Sequence, residues 1–174
     1  MDLIVTSDGV MHAGECTYTC AIGRGGFLRD KREGDGATPV GTFYLKKVYY
    51  RPDRLPENLS VPETNLPVQA LSSQDGWCDD PTNSAYNQMV TLPFAPSHEK
   101  MWRDDGLYDV VIEISHNDDP PIPGAGSAVF IHVAKPGYAP TEGCVALAKP
   151  DLLEILKSAS TDSQIVIQPP AGSF

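Results

Sequence analysis

The apolar positions fall in short runs rich in β-branched and aromatic residues, most of them bounded by Gly, Pro, Asn or Asp. Such runs predict strands over residues 3–6, 17–22, 41–49, 108–114, 128–133, 144–146 and 164–168. Helical periodicity is clearest in P-D-L-L-E-I-L-K-S-A, residues 150–159, where Leu152, Ile155, Leu156 and Ala159 share a face. Pro150 suits its first turn, and Asp151 and Glu154 favour its positive end. The stripe is an ordinary core pattern. Many short strands with one or two short helices predict a mostly β sandwich or barrel. Between residues 51 and 77 the pattern lapses, and Pro52, Pro56, Pro62 and Pro67 punctuate the chain. Neither flank alone has enough strands for a core. The segment therefore reads as a long excursion of one domain spanning 1–174, of the kind that forms functional rims.

Composition narrows the class. Apolar residues make up 41% and charged residues 21% of the 174, which suits a folded globular chain and not a disordered one. A net charge of −10 argues against a nucleic-acid partner, because such proteins carry a basic patch that displaces counterions. No run approaches the ~18 apolar residues of a membrane span. The first ten residues carry no basic n-region, apolar h-region or A-x-A site, so no secretory signal is visible and both a cytoplasmic and an exported location stay open. Cys16 and Cys20 fall on one predicted strand, ~13 Å apart along one face and beyond disulfide reach. Both read as small buried apolar residues. No Cys/His spacing suggests a structural metal, and no motif calls for an organic cofactor.

The chemistry concentrates in F-I-H-V-A-K-P-G-Y-A-P-T-E-G-C-V, residues 130–145. His132 lies on an apolar strand, a rigid place from which to present a base. Cys144 follows Gly143 where a Pro-containing loop re-enters a strand, and Gly143 permits a backbone that would turn N–H groups toward an oxyanion. An imidazole beside a thiol can take its proton, and an ion pair so formed would hold the thiol ionised below its usual ~8.5. A histidine on an apolar strand is more often a core residue, and a single cysteine more often inert; spacing leaves both readings open. His116, in I-S-H-N-D-D, is a second candidate base. His98, Trp102 and Arg103 suit either a peptide groove or a surface helix. Asp79–Asp80, Asp104–Asp105 and Asp118–Asp119 read as solvated turns rather than calcium loops. K-R-E-G-D-G-A-T-P-V-G lacks the G-K-[ST] of a phosphate loop and reads as a tight structural turn.

G-S-A-V-F-I-H-V-A-K-P-G-Y-A-P-T-E-G-C-V-A-L resembles the catalytic signature of YkuD-type L,D-transpeptidases, a strand histidine followed by a loop ending in Ser-x-Gly-Cys. C-A-I-G-R-G-G and the T-P-V-G-T-F of residues 38–43 resemble the opening of that domain, so the similarity runs from about residue 3 to 167. The resemblance implies Cys144 as nucleophile and His132 as base, with Gly143 at the oxyanion; Trp102, Arg103 and Glu142 are the candidate substrate-binding residues. It also implies a peptidoglycan tetrapeptide stem as substrate, a thioester intermediate, an amine acceptor, no metal or cofactor, and a periplasmic or cell-wall setting. Thr141 and Glu142 replace the usual Ser-His before Gly143, which leaves His132 as the base. Ala146 stands where relatives carry Arg or Asn, so acceptor preference does not carry over. An L,D-carboxypeptidase using water, and a cell-wall-binding module with an inert thiol, are the rival readings.

Overall fold

A computed structural model of the protein describes residues 1–169. In chain order the elements are β1 (Asp2–Thr6), β2 (Val10–Ala13), β3 (Cys16–Ala21), β4 (Phe27–Leu28), β5 (Thr38–Pro39), β6 (Gly41–Tyr50), β7 (Val68–Ala70), β8 (Asp75–Cys78), β9 (Met89–Thr91), β10 (His98–Lys100), β11 (Val110–Ile114), β12 (Phe130–Val133), β13 (Val145–Leu147), the helix α1 (Lys149–Leu156) and β14 (Gln164–Ile167). The architecture is mostly β, as the many short strand-like runs predict.

One nine-stranded sheet runs β11-β12-β13-β3-β2-β1-β14-β6-β7, and β11 also pairs with β6. That extra pairing closes the sheet into a barrel and removes its main edges. The interior follows the pleat: Leu3 and Val5 of β1, Val110 and Ile112 of β11, Ile131 of β12, Val145 and Leu147 of β13 and Ile165 and Ile167 of β14 pack together. The inner face of α1, Leu152, Ile155 and Leu156, joins the same core. The helix stops at Leu156, short of the expected 159, although Ala159 is still buried against the core. No helix among the described residues is long and apolar enough to cross a membrane.

Outside the barrel, β10, β8 and β9 form a separate three-stranded sheet. The opposite faces of β11 and β12 pack beneath it: Val111 and Phe130 meet Trp77, Met101, Tyr108 and Tyr49 in a second apolar cluster. Both faces of β11 are thereby buried, which is why it reads V-V-I-E-I and not as a strict alternation. The 51–77 segment is partly ordered into β7 and most of β8. Asp109 anchors its first part by accepting from Arg54 at 3.2 Å and from Lys149 at 3.2 Å. Cys20 and Cys78 are buried, but Cys16 is exposed, a correction to its expected burial: it sits at the outer start of β3, paired with Ala13. All four cysteines are free thiols.

Candidate active site

Alternation along β12 decides what the site contains. Val129 and Ile131 turn into the barrel, so Ala128, Phe130 and His132 lie on the other face, under the outer sheet. β13 runs parallel to β12 with Ile131 opposite Val145 and His132 opposite Ala146. Val145 and Leu147 point into the barrel, which leaves Cys144 and Ala146 on the side of His132. A cavity of about 350 Å³ opens there, and both Cys144 and His132 line it.

The sulfur is held by two backbone groups. Sγ of Cys144 donates to the carbonyl of Ala128 at 3.2 Å and accepts from the N–H of Phe130 at 3.3 Å. Among the described residues no hydrogen bond joins it to His132. Nδ1 of His132 lies 2.8 Å from the carbonyl of Val133. A carbonyl only accepts, so Nδ1 carries the proton and Nε2 is left basic. Tyr108 stacks edge-on against the imidazole at 5.4 Å and donates its hydroxyl to Glu99 at 2.7 Å. Burial pushes the Cys144 thiol up to about 12, against the opposing hydrogen bond from Phe130, and pushes His132 down to about 4. Burial thus favours the neutral thiol and the neutral imidazole over the expected thiolate–imidazolium pair, because desolvation outweighs the nearby cations.

The turn before the thiol is closed by Thr141, whose hydroxyl donates to the carbonyl of Cys144 at 2.6 Å and accepts from the N–H of Gly143 at 3.1 Å. The N–H of Gly143 is thus already engaged, which corrects the expectation that it faces an oxyanion. Gly143 is needed for its conformation instead. Its φ is +137°, and a Cβ there would lie 2.8 Å from the carbonyl oxygen of Ala37.

The other expected residues separate. Arg103 lines the cavity, its guanidinium paired with Asp105 and 5.1 Å from the Tyr108 ring. Glu142 lines the mouth and is ion-paired with Arg24 at 3.0 Å. Trp102 does not line the cavity: the Arg51 guanidinium stacks 3.4 Å over its ring, and it shares a different, shallower pocket with Phe94 and His98. Substrate contact within the cavity is corrected for that residue. His98 lies on β10 rather than on a surface helix. His116 also lies outside the cavity, packed against Phe43 with Nδ1 unpartnered, and burial pushes it down to about 4. Residues 51–77, expected at the rim, contribute none of the lining; Asp79, just after β8, and Glu99, in the middle of β10, take that place.

Several lining residues were not singled out by the sequence. Lys31 and Glu33 come from the loop read as a structural turn, and Asp79 from a pair read as solvated, although its Oδ1 is buried without a partner. Glu99, pushed up by burial, is one more acidic group in the wall. Asn87 lies behind it: its Oδ1 accepts from Trp77 at 2.9 Å and from the N–H of Ala128 at 3.0 Å, while its amide donates to the carbonyls of His116 and Asn117. A thiol and an imidazole with an unprotonated Nε2 on one cavity wall are equipped for nucleophilic acyl transfer.

Comparison with known domain families matches residues 5–167 to the YkuD family model, the L,D-transpeptidase catalytic domain. No curated protein and no solved structure matches the chain.

Proposed function

Because the chain belongs to the YkuD family of L,D-transpeptidase catalytic domains, we propose that it uses Cys144 as nucleophile and His132 as base to cut and rejoin peptidoglycan tetrapeptide stems. The observation that supports this reading is the shared cavity, lined by the Cys144 thiol from the turn before β13 and by the His132 imidazole of β12, whose Nε2 is free to accept a proton. Sγ attacks the carbonyl carbon of the diamino acid at position three as Nε2 takes the thiol proton. The C–N bond to the terminal D-alanine then breaks, and His132 returns the proton to the departing amine. An acceptor amine attacks the resulting thioester, gives up a proton through His132, and the sulfur leaves as a thiol. With the N–H of Gly143 engaged by Thr141, the N–H of Cys144 itself is the turn's donor for the oxyanion.

Neutral reactants suit this sequence, because the charges appear only as the bond forms, when the fixed dipoles and cations of the wall act on them. Glu33 and Asp79 give the same cavity an acidic side, which draws an amine acceptor and supports transfer over hydrolysis. Incubation with a disaccharide-tetrapeptide, followed by mass spectrometry, tests both parts. Dimers lacking one D-alanine are expected, with turnover lost in Cys144→Ala. Tripeptide alone, despite excess amine, replaces the reading with an L,D-carboxypeptidase; unchanged turnover in Cys144→Ala removes Cys144 from the chemistry.

A further inference from the structure

Lys31 is a buried cation that the acyl-transfer scheme leaves without a task. Its side chain is 5% exposed, and its ammonium is paired with Asp35 at 2.6 Å. Asp35 is itself fixed by the backbone N–H groups of Arg32 at 2.7 Å and Ala37 at 2.8 Å. The loop that carries Lys31 is docked on the turn that carries the thiol. A Cβ on Gly143 would meet Nζ of Lys31 at 3.3 Å and the carbonyl of Ala37 at 2.8 Å, and Lys31 lines the cavity with Cys144. Behind it, a Cβ on Gly126 would touch both the Lys31 stem and the His116 ring at 3.1 Å, so the side chain has little room to move.

We propose that Lys31 is an electrostatic positioning residue of the Cys144 site, whose ammonium, clamped by Asp35 against Gly143, offsets the negative charge that develops at the sulfur and the adjoining oxyanion. Burying an ammonium is costly unless it is paired or serves a purpose, and one carboxylate with a long 3.4 Å contact to the Arg32 carbonyl uses only part of its donor capacity. The N–H of Gly143, which would otherwise meet the oxyanion, is engaged by Thr141, so the positive charge beside Gly143 stands where a backbone donor is lacking. The other charged groups on the cavity are Arg103 and Lys135 on the positive side and Glu33, Asp79, Glu99 and Glu142 on the negative side. Lys31 and Arg103 favour the ionised sulfur, whereas Glu99 opposes it. The side nearest the Gly143 turn is thus made positive by Lys31, while the acidic wall stays free for an amine.

This inference rests on Cys144 as the reacting group but on no particular substrate, so it is tested on the thiol itself. The rate of Cys144 alkylation by iodoacetamide at about pH 9 is followed by mass spectrometry in the wild type, Lys31→Met, Lys31→Gln and Lys31→Arg, each with a thermal melt. Removing one unit of positive charge from the cavity wall lowers the rate about tenfold in either neutral variant that melts like the wild type. Lys31→Arg restores most of it. An unchanged rate in a folded neutral variant overturns the proposal. So does an equal fall in all three, or loss of fold in both neutral variants, which makes Lys31 a packing residue. If stem turnover proves absent while the alkylation difference stands, the substrate reading fails and this inference survives.

Discussion

The S–H of Cys144 points at the carbonyl of Ala128, 3.2 Å away, and Ala128 adopts a positive φ of 52° to present it. An alanine accepts that conformation only where its surroundings over-determine it. Asn87 does so by holding the N–H of Ala128 at 3.0 Å while also capping the Trp77 indole. Asn87→Ala leaves two buried donors unsatisfied. A loss of about 2–4 kcal/mol in urea unfolding is expected, together with a fall of tenfold or more in turnover as the sulfur loses its reference point. Stability or turnover like that of the wild type in this variant refutes the link.

Most of the barrel was legible because its strands are runs of apolar and β-branched residues closed by polar or turn residues, as in D-L-I-V-T and Q-I-V-I, although β2 and β7 were not foreseen. The outer sheet was not, since β8, β9 and β10 have three or four residues each and read D-G-W-C, M-V-T and H-E-K. Such runs gain their strand form from pairing with one another over the second apolar cluster, a non-local effect that no window of sequence carries. The same gap hid half of the cavity. His132 and Cys144 could be named from one contiguous stretch, whereas Asp79, Glu99 and Lys31 meet them only through the fold. The environment of the thiol was not legible for a related reason: burial, which pushes Cys144 up, is a property of the packed structure.

Acid should loosen the protein through its buried imidazoles. His116 and His132 are pushed down to about 4 by burial, from an ordinary 6.5 in the unfolded chain. Above 6.5 both states are neutral and no difference arises; between 6.5 and 4 the unfolded chain binds the protons and the folded one does not. Stability therefore falls with falling pH across that window, at up to about 1.4 kcal/mol per pH unit for each imidazole. His116→Phe should flatten the urea-unfolding profile over this range. A wild-type profile that stays level from 6.5 to 4 contradicts burial as the cause.

The neutral pair also sets thiol reactivity. With Cys144 pushed up to about 12, iodoacetamide at about pH 6 should label it more slowly than the exposed Cys16. His132→Ala should change that labelling little, because no ion pair exists to be broken, while it lowers turnover by a factor on the order of 10²–10⁴ as the proton acceptor disappears. Peptide mapping of the alkylated protein separates the sites. Selective labelling of Cys144 at that pH would establish a resting thiolate instead.

Gly143 offers the sharpest steric test of the turn. At φ +137° any other residue is strained, and the added Cβ of Gly143→Ala would press on the Ala37 carbonyl at 2.8 Å and on Nζ of Lys31 at 3.3 Å. Neither can yield cheaply, since Ala37 is fixed through Asp35 and Lys31 through the same carboxylate. The turn must shift, breaking the contacts of Thr141 with Gly143 and Cys144. Strain of this kind costs about 1–3 kcal/mol, and a sulfur displaced by ~1 Å costs about a hundredfold in rate. Thermal melts and turnover of a tetrapeptide substrate measure the two effects. Thr141→Val removes the hydroxyl without the added Cβ, so it should reproduce the rate loss with less strain; full activity in Gly143→Ala would mean that the turn tolerates a left-handed alanine and that its geometry does not govern the thiol.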